Sequence, residues 1–238
     1  MVRPRNKSVK KTKRTINTPT KTRAITDNPP ENLQHQDEQQ EPIITTHLDL
    51  SMDISTSILG LCALERTTGA LIHLSSIKLN STQFKDMWQK ADEVRRYIKE
   101  LINPLSDVLP QPFVVDRVFV EANAKMFNPK FSSIDTLMCL AKFNAICSFI
   151  AREELNTQII DINVVSARAK LGIKVNPKDK SLTTKEKVRN IVIKQFPLPL
   201  TTHVAKTGNH KGQIVYDKEC EDQVDAFVIA RGGQLMFP

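Results

Sequence analysis

The residues HLDLSMDISTSILGLCALE, His47 to Glu65, have the pattern of two apolar strands joined by a polar turn. Two aspartates, Asp49 and Asp53, lie where the first strand would end and before the second begins. A buried carboxylate without a partner costs on the order of several kcal/mol or becomes protonated. These acids therefore predict either a solvated rim of the sheet or a site where positive charge meets them.

A three-stranded meander is predicted around this stretch. Residues 43–50, IITTHLDL, form the first predicted strand, and SMDIST is a predicted turn in which Asp53 is interpreted as a turn former. Residues 58–65, ILGLCALE, form the second strand, and RTTG with the flexible Gly69 connects it to a third strand, ALIHLSSIKL. Strands joined by so short a connection pair antiparallel.

The apolar period changes to three and four residues after this meander. Residues 82–102 predict an amphipathic helix, closed by Pro104, with Trp88 in its buried stripe. After this helix, predicted strands and helices alternate. The predicted segments are strand 117–121, helix 132–154, strand 158–163, a short helix 166–172, helix 183–196, a loop 198–217 and a last helix from Glu219 to Arg231, ended by Gly232 and Gly233. This order predicts an α/β fold with a mixed five-stranded sheet, three antiparallel strands followed by parallel strands, and helices on both faces.

The charge of the chain is uneven along its length. The net charge is +8, but residues 1–24 carry nine basic residues and no acid, whereas residues 25–42 carry five acids and no base. Both segments lack apolar periodicity, which predicts a disordered extension over residues 1–42 before one folded domain over residues 43–238. The basic segment is interpreted as a phosphate-attracting arm, with a solubilising tail or a nuclear or organellar address as alternatives.

Cysteine spacing and hydropathy predict the cellular compartment of the protein. The four cysteines have no CxxC spacing and are predicted to be buried, reduced thiols; they are Cys62, Cys139, Cys147 and Cys220. No stretch approaches the roughly 20 apolar residues of a membrane span, and the basic N-terminus lacks the apolar core of a secretory signal. We therefore expect an intracellular, cytoplasmic protein without a membrane partner.

Three predicted elements bring carboxylates to ends that meet. Asp49 closes the first strand, and Glu121 ends the otherwise apolar strand RVFVE. Asp222 and Asp225 lie three apart, and so on one face, in the last helix. The apolar run AFVIA requires this helix to pack on the sheet, which places its acids near the strand ends. Each acid alone also has an ordinary interpretation, as a turn former, a solvated strand end or a complement to the helix dipole.

Four carboxylates in one place repel one another unless cations neutralise them. Oxygen ligands without His or Cys select Mg²⁺ or Mn²⁺ rather than zinc. Two such ions about 3.5–4 Å apart would hold the attacking and leaving oxygens of a phosphodiester. The acids beside a basic arm therefore predict a nuclease that uses two Mg²⁺ ions per active site, with Mn²⁺ as the alternative ion.

Three segments, LDLSMDISTSILGLCAL, VFVEANAKMF and DQVDAFVIA, resemble in order the acidic motifs of the RuvC-type Holliday-junction resolvases, within the RNase H-like superfamily. The resemblance covers residues 43–233 and implies an RNase H-like fold. It implies a catalytic and metal-binding tetrad of Asp49, Glu121, Asp222 and Asp225. The chain departs from the family pattern with Ser51 in place of a glycine. Three further acids could replace a tetrad member, namely Asp53, Glu219 and Glu221.

Basic and aromatic residues around the predicted site are candidate DNA contacts. Lysines hold phosphates, and an exposed phenyl ring can stack on an unpaired base. The resemblance implies a junction-probing aromatic in ANAKMFNPKF and DNA-contacting basic residues after the fifth strand. The predicted DNA-binding residues are Lys125, Phe127, Lys130, Arg168 and Lys170. Lys185 matches the position of a lysine that assists the phosphate chemistry.

The leading prediction is an endonuclease that resolves four-way and other branched DNA, such as nucleoid or viral DNA. Cutting two opposed strands requires two sites and so predicts a homodimer. One alternative is an RNase H-like nuclease acting on RNA–DNA hybrids or flaps, and another is a non-catalytic module that binds branched nucleic acid. An actin-like kinase or ATPase also begins with an acidic hairpin, but it needs a second related domain and a second phosphate loop.

Overall fold

The computed structural model describes residues 44–80, 82–109, 112–122, 133–176, 181–208 and 211–238. The N-terminal extension and Lys125, Phe127 and Lys130 lie outside these residues, so the predictions about them stay predictions. The elements in chain order are β1 (Thr46–Ile54), β2 (Ile58–Glu65), β3 (Leu71–Lys78), α1 (Met87–Val108), β4 (Phe113–Glu121), α2 (Ile134–Leu155), β5 (Gln158–Ile162), α3 (Val164–Lys170), α4 (Thr184–Gln195), β6 (Thr202–Val204), β7 (Ile214–Tyr216) and α5 (Glu219–Met236).

Five strands form one mixed sheet in the order β3-β2-β1-β4-β5. β1, β2 and β3 are antiparallel neighbours, whereas β4 pairs parallel with both β1 and β5. One apolar core lies between the sheet and the layer of α1 and α2, and a second lies between the sheet and α3, α4 and α5. This architecture confirms the predicted fold class.

β1 is longer than predicted, and its extension changes the position of the acids. The strand continues through Asp53 to Ile54, so the segment predicted as a turn is largely strand and the connection to β2 is only three residues long. The even-numbered residues 48 to 54 belong to the core under α1 and α2. The odd-numbered residues face α5, since the Ser51 hydroxyl donates to the Ala226 carbonyl at 2.6 Å.

Asp49, on the α5 face of β1, is part of a fully buried ion pair. Arg117 of β4 donates from Nε and Nη2 to the two Asp49 carboxylate oxygens, at 2.8 Å each. Gln234 of α5 donates to the same carboxylate at 3.1 Å, and Arg117 donates also to the carbonyl of Phe237. The pair therefore ties β1, β4 and the end of α5 together.

α1 differs from its prediction at both ends. Pro104 lies inside the helix rather than closing it, because Leu105 one residue later is still buried in the core. Trp88 is 67% exposed, although it was predicted in the buried stripe. It lies three residues before the buried Ala91, on the first turn of the helix, where Met87 instead of Trp88 packs against the core.

α2 is apolar on more than its buried face. Within the described part of the chain, it is the one helix whose length and composition would allow it to cross a membrane. The prediction that no stretch reaches that apolar length is therefore wrong for α2, although Phe143, Cys147 and Ile150 are buried in the core. Cys139 is exposed, contrary to the prediction that all four thiols are buried. It lies on the same side of α2 as Phe143, but one turn before it, and Phe143 is the first residue of the helix that the core buries.

The C-terminal third differs from the prediction in two places. The segment predicted as a loop contains a separate two-stranded hairpin, β6–β7. α5 continues through Gly232 and Gly233 to Met236 instead of ending at them. A Cβ at Gly233 would lie 2.7 Å from the Phe119 ring, and one at Gly232 would lie 2.5 Å from the Ala167 Cβ. These glycines allow close packing rather than a helix end.

Removing the buried cation of the Asp49 pair should destabilise the fold strongly. Arg117→Ala leaves a buried carboxylate without its cation, so we expect the free energy of unfolding to fall by about 3–5 kcal/mol. Urea unfolding followed by far-ultraviolet circular dichroism measures it. Arg66→Ala, which breaks the half-exposed pair with Asp116, is the matched control and should cost about 1 kcal/mol or less. Equal losses in the two variants would contradict this account of Asp49.

Candidate active site

Four carboxylates approach one another at the end of the sheet where β1 and β4 finish. Asp53 is the next-to-last residue of β1, and Glu121 is the last residue of β4. Because Met52 pairs with Val120 in the parallel register, Asp53 and Glu121 follow side by side on neighbouring strands. Asp222 and Asp225 come from the first turns of α5.

The approach of α5 to this point depends on a glycine in β2. Gly60 is the cross-strand partner of Asp53, and both face α5. A Cβ at Gly60 would lie 2.2 Å from the Asp222 carbonyl oxygen. Only a residue without a side chain fits there, so Gly60 allows the acidic turn of α5 to lie directly over the strand ends.

Burial and mutual repulsion act together on the Asp53 carboxyl. Asp53 is 8% exposed. Burial raises the pKa of Asp53 well above its ordinary value, and the carboxylates of Asp225, Glu121 and Asp222 raise it further. The Lys185 ammonium opposes this rise without cancelling it. The protein therefore favours the protonated form of Asp53 when nothing else neutralises the cluster.

Glu121 belongs to the same electrostatic group. Burial raises the pKa of Glu121 and Asp225 adds to the rise, whereas Arg168 and Lys185 lower it. A hydrogen bond with the Asp53 carboxyl also lowers the pKa of Glu121, without cancelling the rise. A hydrogen bond between two carboxyl groups needs one proton, so this pair retains a proton at a pH where separate carboxyls would have lost it.

Two basic side chains lie among the acids. Lys185 Nζ, near the start of α4, is 3.0 Å from Asp222 Oδ1 and 3.6 Å from Asp225 Oδ2. Arg168 of α3 donates from Nη2 to Asp225 Oδ1 at 2.9 Å. Burial lowers the pKa of Lys185, but Asp225 and Asp222 outweigh it, so the net shift is upward and Lys185 stays charged.

The predicted tetrad needs one correction: Asp53, not Asp49, joins the other three acids. Asp49 lies four residues back along β1, about 13 Å away at strand spacing, and Arg117 holds it in the buried pair described above. The sequence carried the signal for this register. Polar Asp49, Ser51 and Asp53 alternate with apolar residues, which is the pattern of a strand that continues.

The other acids considered as substitutes lie outside the cluster. Glu219 pairs with Lys78 at 2.6 Å, and Glu221 lies 3.6 Å from Arg189. Among the predicted DNA-binding residues within the described ranges, Arg168 is bound to Asp225 inside the cluster, whereas Lys170 is exposed at the end of α3.

The donor set suits a hard divalent cation, although these side-chain positions do not form a finished ligand shell. Among the described residues, no three His, Cys, Asp or Glu side chains are grouped closely enough to hold a metal ion. The four acids offer only oxygen donors. The raised pKa values of Asp53 and Glu121 indicate that the neighbouring basic groups do not fully neutralise the cluster. Mg²⁺ and Mn²⁺ are the cations that such donors prefer.

Replacing Asp53 should stabilise the metal-free protein. Asp53→Asn replaces a buried carboxyl whose ionised form is disfavoured next to three carboxylates, and Lys185 keeps its contacts with Asp222 and Asp225. We expect a higher Tm at neutral pH, with roughly 2–4 °C gained for each kcal/mol in a domain of this size.

The pH dependence of this difference follows from the raised pKa. The folded wild type holds a proton on Asp53 more tightly than the unfolded chain does, so it loses stability as pH rises from about the ordinary aspartate value of 3.8. The variant does not titrate there, so its advantage should grow with pH and vanish in acid. Thermal scans in EDTA from pH 4 to 8 measure this, with exposed Asp161→Asn as control. A lower Tm for Asp53→Asn at pH 7 would contradict the mutual repulsion.

One of the comparisons with known proteins bears on the fold. No protein-family model matches the chain, and no curated protein matches it. T. thermophilus RuvC in complex with a Holliday junction substrate aligns with a TM-score of 0.50 and 14% identity, over 79% of this chain and 93% of that chain. A second Thermus thermophilus RuvC structure aligns with a TM-score of 0.46 and 15% identity over the same shares. An Aquifex aeolicus PPX-GPPA enzyme gives a TM-score of 0.27 and 11% identity, over 48% and 36%. The first alignment and the strand order together show that this chain has an RNase H-like fold of the RuvC type.

Proposed function

We propose that this protein is a magnesium-dependent endonuclease that cuts branched DNA, four-way junctions included. The observation that carries the proposal is the convergence of Asp53, Glu121, Asp222 and Asp225 at one end of the sheet, where burial and repulsion raise the pKa of the first two. The raised pKa values mean that ionised Asp53 and Glu121 lower the stability of the fold. Clusters of this kind, with perturbed carboxyls, are typical of functional sites.

Divalent cations would complete the charge balance of the cluster. Asp53, Glu121, Asp222 and Asp225 are the residues that would hold them, as two Mg²⁺ ions or Mn²⁺ in their place. When bound, the ions supply Lewis-acid stabilisation and a water nucleophile for phosphodiester hydrolysis. The residues of the chain set the positions of these oxygen donors, since α5 is fixed over the strand ends by Gly60.

Lys185 and Arg168 would hold the phosphate that is cut. Lys185 is half-exposed and Arg168 is largely buried, and both lie within ion-pair distance of the α5 acids. Arg168 Nε is buried and makes no hydrogen bond within the described residues. Basic groups at this place would stabilise the negative charge that develops on the phosphate oxygens.

Branched DNA as substrate and a homodimer as the active form are parts of the same proposal. The solved structure with a TM-score of 0.50 is a RuvC bound to a Holliday junction substrate, which supports a branched substrate for this fold. Two opposed strands are cut by two sites related by two-fold symmetry. α2 carries an exposed apolar stripe, Ile134, Met138 and Phe149, that a second copy would cover.

Cleavage of a synthetic mobile four-way junction tests the function. Wild-type protein with Mg²⁺ should give paired nicks in opposed strands, and EDTA should abolish them. Asp53→Asn should lower the cleavage rate by roughly 10²–10³-fold or more, because it removes a charged group from the reacting centre. Asp49→Asn should keep measurable cleavage at a temperature where it is folded, because Asp49 belongs to the buried pair.

The outcomes of this experiment separate the alternatives. An intact four-way junction beside a degraded RNA–DNA hybrid would replace the resolvase by an RNase H-like nuclease. Loss of cleavage in Asp49→Asn with full activity in Asp53→Asn would restore the sequence-based choice of acid.

A non-catalytic module that binds branched nucleic acid is the second candidate. The observation in its favour is that Lys185 and Arg168 already neutralise part of the cluster, so the fold is tolerable without metal. Such a module would bind junctions equally well in Mg²⁺ and in EDTA and would leave them intact.

Proton release on binding a divalent ion distinguishes the two candidates without an activity assay. Because the pKa values of Asp53 and Glu121 are raised in the metal-free protein, the nuclease should release protons when Mn²⁺ or Mg²⁺ binds, and its affinity for these ions should rise with pH. Calorimetric titration in two buffers of different ionisation enthalpy measures the release. Asp53→Asn should release fewer protons, and Asp161→Asn should behave as the wild type. Wild-type protein that binds neither ion between pH 6 and 8 would favour the binding module.

A further inference from the structure

The β6–β7 hairpin takes no part in either apolar core or in the acidic cluster. Its strands pair with each other and not with the main sheet. Val204 and Ile214 are cross-strand partners and are 56% and 74% exposed. A directly paired, exposed aliphatic ridge on a two-stranded ribbon needs an explanation, because the residues that the structure describes do not bury it.

The base of the hairpin is fixed to α5. The Asp217 backbone N–H donates to the Thr201 carbonyl at 3.1 Å, and the Cys220 thiol donates to the same carbonyl at 3.3 Å. The His203 ring and the Asp217 carboxylate are 2.6 Å apart. Cys220 lies two residues before Asp222, so the contacts that hold the hairpin are half a turn from the acidic cluster.

A second set of contacts fixes the hairpin to α4. The Arg189 guanidinium lies 4.8 Å from the centre of the Tyr216 ring in β7, and Arg189 Nη1 is 3.6 Å from Glu221. Arg189 follows Lys185 by one helical turn. The hairpin, Lys185 and the acids of α5 therefore occupy fixed positions relative to one another.

The charge of the hairpin is of one sign. The sequence from Thr202 to Tyr216 contains no Asp or Glu. Lys206 and Lys211 are exposed on the two sides of the tip, where the Ala205 N–H donates to Gln213 and the Gly212 N–H donates to Ala205. The hairpin thus presents an exposed aliphatic pair with two exposed lysines next to it on the side of the tip, and its base is fixed to the helix that carries the acids.

We propose that the β6–β7 hairpin grips the duplex arm next to the phosphodiester that is cut. Lys206 and Lys211 contact backbone phosphates, and Val204 and Ile214 lie against the sugar edges of the groove between them. A two-stranded ribbon fits a groove of B-form DNA, and phosphate contacts position the DNA without reading its sequence. This inference rests on the proposed function for the site of cutting, but not for the binding of duplex DNA.

Salt dependence of DNA binding tests the hairpin. Binding of the full chain to a four-way junction and to a 30-base-pair duplex is measured by fluorescence anisotropy in EDTA, where no cutting interferes. Lys206→Ala combined with Lys211→Ala should reduce the slope of log K against log salt by about 2, because each phosphate contact contributes about 0.9. Val204→Ser combined with Ile214→Ser should lower affinity several-fold and leave that slope unchanged.

A matched pair of lysines on the other face of the sheet is the control. Lys99→Ala combined with Lys142→Ala removes the same charge from exposed positions on α1 and α2, and should leave the slope as in the wild type. Circular dichroism confirms that each variant is folded, and Lys206→Gln alone, with an expected slope change of about 1, replaces the double variant if that does not fold.

The outcomes distinguish this inference from the proposed function. Hairpin variants that bind both DNAs with the wild-type slope and affinity overturn it, as does an equal effect of the control pair. Hairpin-dependent binding by a wild-type protein that never cuts a junction supports the hairpin and overturns the nuclease. Normal cutting by the Lys206 and Lys211 double variant at every salt concentration supports the proposed nuclease activity and overturns the proposed contact between the hairpin and DNA.

Discussion

The packing of α5 against β1 and β2 is the constraint on which the rest of the structure depends. Gly60 has no side chain to hold the helix away, and the Ser51 hydroxyl bonds to the helix backbone at Ala226. Because α5 lies so close, the polar face of β1 is buried from Asp49 to Asp53, and each polar group there must find a partner. The two acids on that face find different ones.

Asp49 and Asp53 lie on the same face of β1 but in different electrostatic surroundings. Asp49 is held by two parallel bonds from Arg117, a side chain that cannot lose its proton and whose fork geometry matches a carboxylate. Within the described ranges Asp53 has no such ion pair, and the cation that acts on it is Lys185, which is half-exposed and shared between Asp222 and Asp225. A permanent cation closes the first site, whereas a shared lysine leaves the second able to accept other positive charge.

The sequence predicts the fold far better than it predicts the site. Strand order and most helices follow from apolar periodicity, and the Thr183 capping box marks the start of α4. The predicted end of β1 came too early because SMDIST contains turn-forming residues. As a result, Asp49 rather than Asp53 was predicted to be the acid that β1 contributes to the cluster. Which of two acids on one face is paired depends on Arg117, 68 residues away from Asp49, and pairing at that separation leaves no local pattern.

The position of Trp88 has a practical consequence for the study of this protein in solution. It is the only tryptophan of the chain and lies on the first turn of α1, 67% exposed. Its side chain is mostly exposed to solvent before denaturation as well as after it, so its emission maximum should shift little when the core is lost. Intrinsic fluorescence would therefore be a poor reporter of global unfolding in this molecule, yet a sensitive one for any surface that comes to cover the beginning of α1.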